Sequence, residues 1–173
     1  MEQEKTNEEV KVETQELKEV SQEQIDKLIR NNVLVSMGFG LIPIPLVDFA
    51  AITGVQLNMI RILAKMYEVP FSKDKGKHII ASLIGGTIPA SFGGILTSLV
   101  KVVPIIGQTT GALVMPVLAG GTTYAIGKVM VQHFASGGTF LNFNPEQVKE
   151  YYADMLSKGK EVASKIKSGA MTQ

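Results

Sequence analysis

The sequence predicts an all-α, membrane-associated helical bundle with a central glycine-rich hydrophobic helical hairpin and flanking amphipathic helices. Three observations carry this expectation. Residues 79–100 and 102–127 contain no Asp, Glu, Lys or Arg, with Lys101 alone between them, and roughly 20 apolar residues suffice to span a hydrocarbon core. Of the 17 glycines, 11 fall between Gly85 and Gly138. That density costs a helix in water about 1 kcal/mol per glycine relative to alanine, whereas in lipid small residues let helices approach closely. On either side of this region, apolar residues recur at three-and-four spacing between capping residues.

Composition narrows the function classes. A chain of 173 residues suits one domain with tails, and a mean hydropathy of +0.18 is high for a soluble protein of this size. The net charge of +1 argues against a nucleic-acid partner. With no cysteine there is no disulfide framework, thiolate zinc site or cysteine nucleophile. Tryptophan is absent too, so an interfacial belt would rest on Tyr, Phe and Lys. The acidic, polar N-terminus does not read as a secretion signal, which places the expected location on the cytoplasmic side.

The elements follow in order. Residues 1–20 hold seven Glu and three Lys and predict a disordered acidic tail. Ser21 and Gln24 form a capping box for a helix over about 22–37, with Ile25, Leu28, Ile29 and Val33 on one stripe. Gly38, Gly40, Pro43 and Pro45 break it. A second helix is expected from Pro45, whose missing amide hydrogen is harmless at a first position, to about Val69. Asp48 lies in its first turn, where a carboxylate complements the helix dipole.

Lys73, Lys75 and Lys77 then precede the uncharged hairpin, expected over 79–127. Ser82, Gly86, Ala90, Gly94 and Ser98 recur every fourth residue, and Gly107 and Gly111 add a GxxxG pair. Such stripes predict close helix packing and a homo-oligomer. Val117, Gly121 and Ala125 form a smaller echo. Pro89 and Pro116 sit near the middle of the two arms, where each would kink a helix. A soluble or amphitropic bundle burying the same hairpin is the alternative to stable insertion. With lysines at both ends, the positive-inside bias puts both termini in the cytoplasm. Ser136-Gly137-Gly138 ends the region, giving a domain over 21–135. Asn144 as N-cap and Pro145 as first residue open an amphipathic helix within 144–168, which either docks on its own bundle or meets a partner or lipid.

Catalytic chemistry is sparse. Gly-Lys at 127–128 resembles the end of a phosphate loop, but five residues rather than four separate Gly121 from Gly127, and Val129 replaces the required hydroxyl. His78 and His133 lack ligand partners at helical spacing. No catalytic, cofactor or metal residues are assigned, and the chain is not expected to be an enzyme. The polar candidates are Asp48 and Gln56, eight positions apart and on much the same helix face. Capping is the simpler role for Asp48; a buried ionisable group with a function is the other.

The stretch LIPIPLVDFAAITGVQLNMIRILAKMYEV resembles the YcjF-like group of uncharacterised bacterial membrane domains. The resemblance rests on Pro43, Pro45, Asp48, Gln56, Met59 and Tyr67 and extends over about Asn31 to Phe134 through the glycine-rich pair of apolar segments. It implies a membrane domain that works with a GTPase, here on a separate chain, since no GTPase domain is present. The expected function is a membrane-bound, non-enzymatic scaffold or adaptor that self-associates and has a GTPase partner. A small oligomeric pore lined by Asp48 and Gln56 is the competing reading.

Overall fold

The computed structural model describes residues 22–41, 45–86 and 107–169. Among them are five α-helices and no strand, in agreement with the all-α expectation. The acidic tail, Pro43, Pro89 and the rest of 87–106 lie outside the described residues.

Helix α1 spans residues 22–39 and buries Ile25, Ile29, Val33, Ser36 and Met37 along one stripe. Its last turn closes with the Gly40 amide donating to the Ser36 carbonyl at 3.0 Å, which carries the helix two residues past the expected end. Helix α2 is Pro45–Met66, three residues shorter than the sequence suggests. It stops because Glu68 adopts a left-handed φ of 57°. The Glu68 amide donates to the Lys65 carbonyl and that of Val69 to Ala64, at 3.3 and 2.8 Å, the bonding pattern of a Schellman cap. A glycine would take this φ without a Cβ penalty. Glu68→Gly should therefore stabilise the fold by about 0.5–1 kcal/mol, read as a higher denaturation midpoint.

Helix α3, Lys73–Gly86, starts inside the lysine cluster rather than at Ile79. The three lysines thus sit in its first two turns, with Asp74 beside them at the positive end of the helix dipole. Gly76 is buried where a Cβ would come 2.7 Å from Leu57 Cδ1, so α3 approaches α2 closely at this point. Helix α4, Gly107–Ala135, continues eight residues beyond the expected hairpin end at Gly127 and carries Pro116 within it. It ends in a second Schellman cap: Gly137 has φ 77°, with amide bonds from Gly137 to Phe134 and from Gly138 to His133. Helix α5 is Pro145–Lys167. The Asn144 side chain accepts from the Glu146 amide at 3.0 Å, and Pro145 occupies the first helical position.

Among the described residues no helix is long and apolar enough to cross a membrane. Much of the membrane-crossing hairpin expected over 79–127, residues 87–106, lies outside the described residues. The described start of its first arm follows the charged first turns of α3, and the apolar run of α4 is diluted by Gly, Thr and Gln. The small residues of α4 are instead buried by neighbouring helices. Residues 119–121, 123, 125–127, 129 and 130 are all buried, as a helix apolar on every side requires.

Contacts fix the directions of the helices around α4. Asp26 meets Lys128 at 2.7 Å, while a Cβ at Gly120 would touch Met37 and one at Gly40 would touch Pro116; α1 therefore runs antiparallel to α4. Gln56 lies by Thr123, Met59 by Gly127 and the Tyr67 ring by Phe134, so α2 runs parallel to it. Gly159 packs on Gly121 and Ala163 beside Gly120, so α5 is antiparallel. The short link 67–72 leads from α2 into α3, which packs against α2 and α5. One pole of the bundle thus gathers the C-termini of α1 and α5 with the N-termini of α2 and α4.

Candidate functional site

Three helices meet at a polar junction in the core. Gln56 on α2, Ser36 on α1 and Thr123 on α4 are each fully buried. The Gln56 amide nitrogen donates to Thr123 Oγ1 at 3.2 Å and, more weakly, to Thr122 Oγ1 at 3.4 Å. Thr123 Oγ1 in turn donates to Ser36 Oγ at 2.9 Å. Thr122 turns its hydroxyl proton back to the Ala119 carbonyl at 3.0 Å. Gln56 Oε1 is buried with no hydrogen-bond partner in the protein. All four side chains are neutral, so the junction supplies neither a general base nor an activated nucleophile. Its physical work is to hold three helices in one register, because shifting any of them strands a buried donor or acceptor.

The second feature is a set of glycine contacts around α4. A Cβ at Gly159 would lie 2.7 Å from the Gly121 carbonyl oxygen and 2.9 Å from Tyr124 Cβ, so the α4 and α5 backbones touch. One at Gly127 would lie 3.0 Å from Ile29 Cγ1 and 3.3 Å from Met59 Cε, where α1 and α2 converge. Glycine packing thus brings helices of one chain together at these positions.

The residues singled out in the sequence fare unevenly. Gln56 occupies the junction. Asp48 lies in the first turn of α2, and its side chain is not among those described. Of the small-residue stripe, Ser82 is half-buried and donates to the Ile79 carbonyl at 2.9 Å. Gly86, Gly107 and Gly111 stand at helix positions whose surroundings are not described, and Ala90, Gly94 and Ser98 lie outside the described residues. Sequence reasoning missed Ser36, Thr123 and the pairing of Gly121 with Gly159. The echo Val117, Gly121 and Ala125, set against Met155 and Gly159 on α5, held the signal for that last contact.

Burial pushes the Tyr67 hydroxyl above its ordinary value, and the Lys128 ammonium offsets part of the rise. Lys128 is bound to Asp26 and lies 5.7 Å from the centre of the Tyr124 ring. His133 meets the Thr139 carbonyl at 2.9 Å through Nε2 and packs edge-on against Phe143, a structural placement at the α4–α5 link. Among the described residues no three His, Cys, Asp or Glu side chains are grouped to hold a metal.

Comparison with known proteins gives this core a family. Magnetosome membrane protein 22 of Magnetospirillum gryphiswaldense is 38% identical over 144 residues, which cover 83% of this chain and 74% of that protein. No solved structure matches. A family model described as a domain of unknown function matches residues 4–161, a span that takes in every described helix except the last turns of α5, and the chain belongs to that family, DUF697.

Proposed function

We propose that this protein is a non-enzymatic, membrane-associated adaptor or scaffold of a bacterial inner membrane. The observation that carries the reading is the 38% identical relative, which bears the name of a membrane protein and aligns over most of both chains. The interior supports it: the polar cluster at the centre ties helices together and presents no reacting group. Self-association through the faces bearing Ser82, Gly86, Gly94, Gly107 and Gly111, and a partner GTPase, follow from the small-residue spacing and from the YcjF-like resemblance. Both termini face the cytoplasm in this reading, because lysines flank the apolar region. With no membrane-crossing helix among the described residues, attachment without full insertion is the second form of the same proposal. The pore reading loses support, since Gln56 is closed inside a three-helix junction rather than lining a path.

Fractionation tests the proposal. The protein is expected in the membrane pool, and an alkaline carbonate wash then separates an inserted form, which stays in the pellet, from a peripheral one, which is released. Recovery entirely in the soluble pool under all growth conditions would sink the membrane reading. For self-association, Gly86→Leu with Gly94→Leu should reduce oligomer size in mild detergent, because larger side chains hold backbones apart. An unchanged elution volume removes that face as the contact.

A further inference from the structure

The net charge of +1 conceals a separation of charge along the chain. Residues 1–20 carry seven Glu and three Lys, while the stretch from Arg61 to Lys77 carries five basic residues and two acidic ones, Glu68 and Asp74. These cations flank the 67–72 link that joins α2 to α3. Arg61, Lys65, Lys73 and Lys77 are exposed, and Lys75 is half-buried. None of the five is ion-paired with another described residue.

Their spacing sets this surface apart from the other basic ones. Arg61 and Lys65 stand at i and i+4 on α2, and Lys73 and Lys77 do so on α3. Like charges at that interval face each other and weaken a helix, so each pair is relieved only by an anion from outside it. On α5 the same interval holds opposite charges, Asp154 with Lys158 and Glu161 with Lys165, and Lys149 meets Glu146 at 3.9 Å. The lysines of α5 are thus balanced within their own helix. The two exposed cationic pairs beside the link are not.

The acidic residues that can balance them are tethered at the same end of the bundle. Asp26, in the second turn of α1, meets Lys128 of α4 at 2.7 Å. The Tyr67 ring, just after α2, lies 6.1 Å from Phe134, further along α4, and Phe71 of the link lies 5.7 Å from Phe140. Because α1 runs antiparallel to α4, its first residues stand level with the 67–72 link. A 20-residue segment attached there reaches up to about 65 Å when extended, and tethering gives it an effective concentration on the order of millimolar. Its glutamates repeat the cationic interval with opposite sign, since Glu4 and Glu8, and again Glu9 and Glu13, are four apart. The family match starts at residue 4 and so includes the acidic stretch in the domain. We propose that the acidic residues 1–20 dock, within one chain, on the corner formed by Arg61, Lys65, Lys73, Lys75 and Lys77, and so cover it against other anionic partners. This regulatory contact goes beyond the function proposed above and stands without it.

Carbodiimide cross-linking of the full chain tests the contact, because the reagent joins a carboxylate to an ammonium only where the two touch. Amide links are expected from glutamates of residues 1–20 to Lys65, Lys73, Lys75 or Lys77, at a yield independent of protein concentration. In a mixture of isotope-labelled and unlabelled protein the links should stay within chains of one label. They should vanish in about 1 M salt, where the screening length falls to about 3 Å. Lys73→Glu combined with Lys77→Glu should lower the yield at Lys65 and Lys75 about fivefold, the effect of losing two exposed ion pairs. Circular dichroism should show unchanged helicity, since both side chains are exposed. Adding Glu9→Lys and Glu13→Lys to that variant should restore cross-linking between the two regions, which a merely misfolded variant could not do. Links from residues 1–20 to Lys158, Lys160 or Lys165 in preference, links only between chains, or no links at all overturn the proposal. So does protection of the corner lysines from acetylation that arises only with phosphatidylglycerol vesicles, which would make a lipid surface the occupant.

Discussion

Replacing Gly159 with leucine should cost the bundle about 3 kcal/mol, at the upper end of what overpacking does to a closed core. At this position a Cβ would meet the Gly121 carbonyl oxygen at 2.7 Å, Gly121 Cα at 3.0 Å and Tyr124 Cβ at 2.9 Å. Two of these three are backbone atoms, which no rotamer change can move aside. Leucine must therefore push α5 off α4 and disturb the burial of its neighbours Met155 and Ala163. Helix propensity works the other way, since any residue but proline is a better helix former than glycine by a fraction of about 1 kcal/mol. The steric term is the larger. Gly54 isolates the propensity term: it lies within α2 and is exposed, and a Cβ there would meet nothing within 4 Å. Gly54→Ala should stabilise the protein by about 1 kcal/mol. Chemical denaturation of the two variants should show midpoints moving in opposite directions. A neutral Gly159→Leu would mean that α4 and α5 do not touch as described.

The same contrast explains what the sequence disclosed and what it withheld. Local chemistry was readable: Asn144 and Pro145 mark where α5 begins, and Gly137 marks the turn that closes α4. Both depend on a few adjacent residues. The end of α2 was misplaced because its left-handed position is filled by Glu68, which gives none of the signal a glycine would. Helix α3 begins at Lys73 rather than at the uncharged Ile79 because lysines are good helix formers on an exposed face. The uncharged run before Lys128 suggested lipid, but an interior helix surrounded by three others demands the same composition. Periodicity cannot separate those two solvents. Within the site, Gln56 stood out as a polar residue on an apolar helix face, whereas Ser36 and Thr123 looked ordinary until the antiparallel approach of α1 brought them together. Their sequence separation of 87 residues is a tertiary fact with no local signature.

Gln56→Glu should make the stability of this protein steeply pH-dependent. The side chain is fully buried among three helices, and a carboxylate there would lack water and any cationic partner at the junction. Burial disfavours the charged form, so the carboxyl of this variant should stay protonated in the folded state at neutral pH. In the unfolded chain it ionises with a pKa of about 4.3. The folded pKa is raised, so stability is fully present below about pH 4.3 and is lost as pH rises toward the folded value. At pH 7 the loss should reach about 4 kcal/mol, the work of protonating a group that prefers to be ionised. Gln56→Met is the companion measurement. It keeps an unbranched chain of similar volume and removes the partnerless Oε1, while the Thr122 and Thr123 hydroxyls keep Ala119 and Ser36 as acceptors. Its cost should stay within about 1 kcal/mol and show no added pH dependence. Thr123→Val, by contrast, deprives both the Gln56 amide and Ser36 of a partner and should cost about 1–3 kcal/mol. Denaturant melts of the three variants from pH 4 to pH 8 decide the matter. A flat profile for Gln56→Glu, at wild-type stability, would mean that water reaches the junction and that it is not the closed interlock of α1, α2 and α4.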